Sequence, residues 1–516
     1  MTAKMIDFQQ RRQLEQALAN LSKTENELEL IEAARRIAHE FPSETVLPAL
    51  IRHLDTADSQ TRGGLGHLAA LLPQEEVTDA LRSAAADRRR SPLARMTATA
   101  IAQRYLGVEF PAALTGDLNS AGDAAFQSLL EAITEGKRNR HILLEYVEQM
   151  RELSEEIAFL VIEALGRTPP ADQVELLRLI AQDHRLPIAR AALAALEALA
   201  STEAGPLAIR ALHTLQFVLP EDLAALAERN IRKLRMAGRR HEPLEPAGWR
   251  SLLSPADPNG NQTVWLVKTP VEQGENGVLL GFTVNLGVGV VRFFGSERVE
   301  TSVLPAAQPP GQLITLNDDS GGQTTVLTAP FDYGRWLVAE AIQAHLAATP
   351  PQALPGELQL YNDLIWQFAP PHLAEELQPF WKSDANVGAS APEALEAATA
   401  ALFAHPIMAH WMLPGHAIVQ ATPAAARPDP TWPLTEIVGA LLREIARWPE
   451  SATLGPALQR ALQGQAAWLH LAGEEALAQQ ARRLAQAVPH LSIPQNPVLA
   501  QMLARSLQRR PPSAQR

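Results

Sequence analysis

Hydrophobic positions in the first half of the chain recur at the helical period. Apolar residues return every three or four places through LPALIRHLDTADSQTRGGLGHLAALL (47–72), ALRSAAADRRRSPLARMTATAIAQRYLG (80–107) and LLRLIAQDHRLPIARAALAALEALA (176–200). Each stretch reads as a leucine-rich helix, a short polar turn with Asp, and an Arg opening a second helix of small residues. Those arginines are Arg62, Arg95 and Arg190; Pro92 stands three residues before Arg95, and Pro187 three before Arg190. DAAFQSLLEAIT (123–134) and LSEEIAFLVIEALG (153–166) keep the helical spacing without the Arg. Thr24 and Glu27 have capping-box spacing, which suits the start of an N-terminal capping helix.

Past residue 243 the pattern changes. Pro243, Pro246, Pro255 and Pro258, with Gly248 and Gly260, break any helix and mark a boundary near 243–248. Val-, Thr- and Phe-rich runs then predict strands over 262–269, 277–284, 289–295, 312–316 and 323–328, with connections short enough for antiparallel hairpins. Helices are expected at 332–349, capped by Asp332, and near 357–367. In GVLLGFTVNLGVGVVRFFG (277–295), Leu280, Phe282 and Val284 fall on one face and Leu279, Gly281 and Thr283 on the other. With one charge, Arg292, in the whole stretch, both faces are expected to be covered. The helical period returns after about residue 391, ending in a TPR-like hairpin turning at Gly473 and a last helix within IPQNPVLAQMLARSLQRR.

Two helices per unit at a spacing of about 33–47 residues is the range of helical solenoids. The Asp turn followed by a helix-opening Arg resembles HEAT repeats, an armadillo-like architecture, across residues 24–236. The order of parts looks like bacterial HEAT-repeat proteins, a resemblance that implies an architecture and no activity. The fold expected is mainly α: a HEAT-like α-solenoid (1–242), a small central α+β module with an antiparallel sheet (243–380), and a C-terminal helical domain (381–516).

Chemistry changes this picture little. The glycines at 287 and 289 begin a dinucleotide-type G-x-G, but Arg292 stands at the third glycine position and a strand follows, so Asn285–Gly287 reads as a hairpin turn. Asp318 and Asp319, with Asn317, crowd oxygen donors in a loop whose composition turn chemistry also explains. Tyr333, Arg335 and Trp336 open a helix and could form a polar-aromatic patch. His39, His53 and His67, and His405, His410 and His416, lack metal-site spacing. No catalytic, cofactor-binding or metal residue is assigned, and no cofactor is expected.

The 516 residues contain no cysteine and carry a net charge of −12. These values fit a cytoplasmic protein and count against a nucleic-acid binder. No apolar run of about 18 residues suggests a membrane span. RNIRKLRMAGRRH (229–241) is basic and reads as a solvated helix end. The function expected is a non-enzymatic scaffold or adaptor binding another protein on the solenoid face. Arg62, Arg95, Arg190, Asp318, Asp319, Tyr333 and Arg335 are its candidate contacts. The alternatives are an enzyme or small-ligand site in the central module, and nucleic-acid binding through the solenoid.

Overall fold

The structure, a computed structural model, describes residues 12–24, 27–56, 58–87, 89–108, 110, 121–270, 276–317, 323–348, 352–382 and 391–509. The chain is mainly α, with one six-stranded antiparallel sheet between helical stretches in sequence. Packing divides it into two compact units: Met1–Arg138 with Glu163–Thr168, and Asn139–Ile162 with Pro169–Arg516. The last helix before the sheet ends at Met236 and the first strand begins at Trp249, on either side of the proline-rich stretch. No division in packing falls there; the helices after residue 139 belong with the sheet.

The first unit contains α1 (12–19), α2 (Glu27–Glu40), α3 (Ser43–Arg52), α4 (Ser59–Ala69), α5 (Gln74–Ala86), α6 (Pro92–Leu106) and α7 (Ala121–Gly136). Helices pack on their next-but-one neighbours, α2 on α4 and α4 on α6, around a continuous leucine- and alanine-rich core. The glycines of TRGGLGH permit this closeness: a Cβ on Gly66 would meet the Tyr105 ring at 2.2 Å, and one on Gly64 would meet Leu21 at 2.9 Å. Asp58 caps α4, accepting from the Thr61 amide at 2.7 Å, and Ser91 caps α6. Residues 25–26 of the expected capping box lie outside the described residues; the Thr24 hydroxyl donates to the Leu21 carbonyl at 2.8 Å.

The second unit opens with α8 (His141–Arg151), α9 (Glu155–Leu165, its last residues counted in the first unit), α10 (Pro170–Ile180), α11 (Leu186–Leu199), α12 (Gly205–Leu215) and α13 (Glu221–Met236). Again α8 packs on α10, α10 on α12 and α11 on α13. Strands β1 (Trp249–Leu253), β2 (Asn261–Lys268), β3 (Gly277–Asn285), β4 (Gly289–Val299), β5 (Leu313–Asn317) and β6 (Gln323–Ala329) pair in the order β4-β3-β2-β1-β6-β5. β1, near the middle of the sheet, was hidden in sequence: five residues between Gly248 and Pro255 are too short a run to show against their helix- and strand-breaking surroundings.

Helix α14 (Phe331–Leu346) lies across β1 to β4, covering the face that carries Ser251, Leu253, Leu266, Leu280, Phe282 and Val284. Gly334 gives the close approach, since a Cβ there would meet the Ser251 hydroxyl at 2.1 Å. Asp332 does not cap α14. Pro330 occupies that position with no side-chain cap, and Asp332 pairs instead with Arg335 at 2.9 Å. Next come α15 (Gly356–Trp366), α16 (Gln378–Trp381), α17 (Pro392–Ala404), α18 (Gly415–Ala421), α19 (Leu434–Ile445), α20 (Ser451–Leu471), α21 (Glu475–Ala487) and α22 (Pro497–Gln508). Two indoles tie these C-terminal helices and their connections to the sheet. Trp468 donates to the Leu253 carbonyl and Trp411 to the Ala256 carbonyl, each at 3.0 Å.

The β3–β4 hairpin turns over Asn285–Val288, with the Val288 amide donating to the Asn285 carbonyl at 3.0 Å. Asn285 is buried and holds the turn with its side chain, accepting from the Gly287 amide at 3.0 Å and donating to the Asn259 carbonyl at 2.9 Å. The left-handed residue is not in the expected Asn285–Gly287 turn but follows it: Gly289 has φ +120°. A Cβ on Gly289 would meet the His345 Cα at 2.7 Å.

Candidate interaction surfaces

Three arginines of the helices before the sheet converge on α15. Arg178 is 1% exposed; it donates to the Gln359 and Leu360 carbonyls at 2.8 Å each, to the Asn362 side chain, and to Glu175 at 2.7 Å. Arg140, at the start of α8, binds Glu175 at 2.7 Å, Asp363 at 2.9 Å and Glu297 of β4. Arg151 donates to the Gln359 side chain at 2.6 Å, and the Gln182 amide to the Gln359 carbonyl at 3.2 Å. Burial alone would raise the Glu175 carboxyl, but Arg178 and Arg140 outweigh it and hold its pKa at about 2. Burial likewise works against the Arg140 charge, and Asp363, Glu175 and Glu297 overcome it, so its pKa is raised.

α15 therefore packs against the side presented by α8, α10 and α12. The sequence gives little sign of this. Arg140, Arg151 and Arg178 lie outside the Asp–Arg pattern read from the sequence, and their partners on α15 are 181 to 223 residues away.

The residues singled out from the sequence do not come together. Arg62 donates to the Thr56 carbonyl at 3.1 Å and pairs with Glu131 at 3.0 Å. Arg95 is buried and donates to the Ala85 carbonyl at 2.7 Å, closing its own helix hairpin. Arg190 lies exposed on α11; the turn before that helix is held by Arg185, which binds Asp183 at 2.7 Å and the Leu153 carbonyl at 2.8 Å. Asp318 and Asp319 fall outside the described residues.

Tyr333 and Arg335 do not form a surface patch, because both side chains turn inward. Arg335 is 1% exposed, donates to the Ile365 and Ala369 carbonyls at 2.9 and 2.8 Å, and lies over the Phe331, Trp366 and Phe368 rings. Burial lowers its pKa, against the pull of Asp332. Burial also raises the Tyr333 hydroxyl, which faces Trp381. Trp336 stacks on Tyr333, their ring centroids 6.1 Å apart.

The second face of the sheet is covered only in part, not completely as its apolar strands suggest. Leu304, in the connection after β4, closes over Leu252, Val267 and Val326; Trp265, Leu279, Val299, Ile314 and Leu316 remain half-buried around them. Arg250, on this face, donates to Thr269 and to the Pro305 carbonyl, tying that connection down. Beyond it lies an open area of Trp265, Leu279, Thr283, Arg292 and Phe294. Phe294 is 44% exposed and sits edge-on to Trp265 at 6.3 Å between centroids. Gly281 provides the floor: a Cβ there would meet the Phe294 ring at 2.1 Å.

The pairing shift between Thr283 and Val284 leaves Val291 as the extra residue of β4 and turns it to solvent, 53% exposed. That bulge explains the adjacent apolar pair Val290–Val291, which breaks the alternation in sequence.

No group of three or more His, Asp or Glu residues able to hold a metal ion occurs among the described residues. Nor, among these residues, is any helix long and apolar enough to cross a membrane. No protein-family model, curated protein or solved structure matches the chain.

Proposed function

We propose that this chain is a non-catalytic scaffold, a HEAT-like repeat protein that holds another protein. The partner lies over the open sheet area at Trp265, Leu279 and Phe294. The observation that carries this reading is Phe294, a large aromatic side chain left 44% exposed beside a half-buried Trp on a rigid sheet. Exposed aromatic anchors on an ordered framework are the usual centres of protein interfaces. The area carries a single charge, Arg292, which suits apolar side chains of a protein better than a charged small molecule.

The solenoid face expected to bind the partner is, along α8, α10 and α12, filled by the chain's own α15, which favours the sheet instead. Burial of Tyr333 and Arg335 weighs against a catalytic site at the start of α14. The net charge of −12 weighs against nucleic acid. A cytoplasmic location goes with this reading; the cysteine-free sequence supports it.

The test is photocrosslinking in native lysate from an aryl-ketone amino acid placed at Phe294, with Arg190 as the exposed control position. A single protein captured from position 294, and lost when Thr283→Asp adds a charge beside it, is the expected result. The same set of products from both positions, or none from 294, sinks the proposal.

A further inference from the structure

The last turns of α13 carry a surface whose sign is opposite to that of the molecule. Residues 229–240 hold six basic side chains and no acidic one, in a chain whose net charge is −12. The helix divides cleanly. Leu223, Ala227, Asn230, Ile231 and Leu234 are buried, while Arg229, Arg232, Lys233 and Met236 follow one another at i, i+3, i+4 and i+7 along the exposed side. The helix then stops at Gly238, with φ +80° and the Arg239 amide donating to the Leu234 carbonyl at 2.9 Å. That turn brings Arg239 back against the Ala200 carbonyl and leaves Arg240 exposed at the end of the stripe.

Cations at a helix C-terminus are favoured by its dipole, and that accounts for part of the cluster. It does not account for Met236, which is 91% exposed in the middle of it. Nor are the charges quenched: the side chains of Arg232 and Lys233 remain 60% and 76% exposed despite their pairing with Glu228 and Glu197.

We infer that this stripe docks an acidic, amphipathic segment of a partner protein, its carboxylates meeting the Arg and Lys side chains and its apolar side chains meeting Met236. A thioether is an adaptable apolar contact for protein side chains. Single-stranded nucleic acid would want aromatic platforms, and residues 229–240 contain none. Its helical part, from Arg229 to Met236, is about 11 Å long at the helical rise, the length of roughly two turns of a docked helix. This inference is independent of the sheet face.

Fluorescence anisotropy of the full chain tests it with three labelled probes at low salt. They are a 16-residue Glu/Leu amphipathic peptide, the same composition scrambled to remove the apolar face, and a 16-nucleotide single-stranded RNA. The amphipathic peptide is expected to bind tightest, with affinity falling as salt rises. Arg229→Glu/Arg232→Glu/Arg240→Glu is expected to weaken it about tenfold or more, and Met236→Ser roughly threefold. Circular dichroism shows whether each variant keeps its helix content. Arg229→Gln/Arg232→Gln/Arg240→Gln, which removes charge without adding repulsion, serves if the reversal unfolds α13, and a loss of about tenfold is expected there too. The inference is overturned if the acidic peptide does not bind, if the RNA or the scrambled peptide binds as tightly, or if the charge variants bind unchanged.

Discussion

The Arg178 guanidinium donates to the main-chain carbonyl of Leu360 at 2.8 Å, across 182 residues of sequence. It sits between α10 and α15 with almost no solvent access, and its charge is answered by Glu175 at 2.7 Å. Removing one member of a buried ionic network leaves the rest uncompensated and costs about 3–5 kcal/mol. Arg178→Met is therefore expected to raise hydrogen–deuterium exchange across the 356–366 amides. Arg190→Met, on the exposed side of α11, should leave them unchanged. Equal exchange in the two variants would show that the α10–α15 contact does not depend on Arg178.

Two glycines of the same hairpin should respond differently to alanine. At Gly289 the new Cβ meets the His345 main chain at 2.7 Å and the backbone is left-handed, so nothing nearby can yield. A loss of about 3 kcal/mol is expected. At Gly281 the obstacle is the Phe294 ring, whose partly exposed side chain can swing away. The cost there should be nearer 1 kcal/mol, with Phe294 displaced from Trp265. Thermal unfolding of the two variants checks the order, the larger loss of Tm being expected for Gly289→Ala.

The ring of His213, on α12, and that of His241 lie 4.3 Å apart, tilted by 30°. Burial, then His213 and Arg210, pull the His241 pKa down to about 4; burial lowers His213 too, with Arg335 and Arg235 adding to it and the Phe368 carbonyl opposing. Because the folded values lie below the ordinary 6.5, the unfolded chain binds more protons between these limits. The stability contributed is full above pH 6.5 and lost as pH falls toward 4. Discounted for the partial exposure of His241, it is on the order of 1 kcal/mol. In His241→Phe the decline between those pH values should be shallower than in the parent chain, as read by urea titration at each pH. An unchanged slope would remove His241 from the account.

Trp468 gives its indole N–H to the Leu253 carbonyl at the end of β1. Trp468→Phe keeps most of the packing but removes that donor from the Leu253 carbonyl, at a cost of about 1 kcal/mol. Faster amide exchange in β1 and α20 together would confirm the tie. Exchange confined to α20 would show that the indole does not hold the strand.

Much of the fold can be read from local pattern. Five of the six strands, the helix at 331–346, the inward set Leu280, Phe282 and Val284, and the C-terminal helices follow from periodicities of two and 3.6. Those signals depend only on residues a few places apart. The candidate site was far less legible. Tyr333 and Arg335 read in sequence either as a polar-aromatic patch or as half-buried packing, and only the aromatic cage of Phe331, Trp366 and Phe368 shows Arg335 drawn fully inward.

Short-range pattern along the chain places most helices and five of the six strands, marks which of their faces are apolar, and sets the local basic charge of residues 229–240. Long-range packing decides that α15 covers the side presented by α8, α10 and α12, that β1 completes the sheet, and that one sheet face stays partly open. The reason is physical. Amphipathic periodicity specifies that a face must be buried but not what buries it, whereas Arg178 and Leu360 meet only after long-range packing has brought α10 and α15 together.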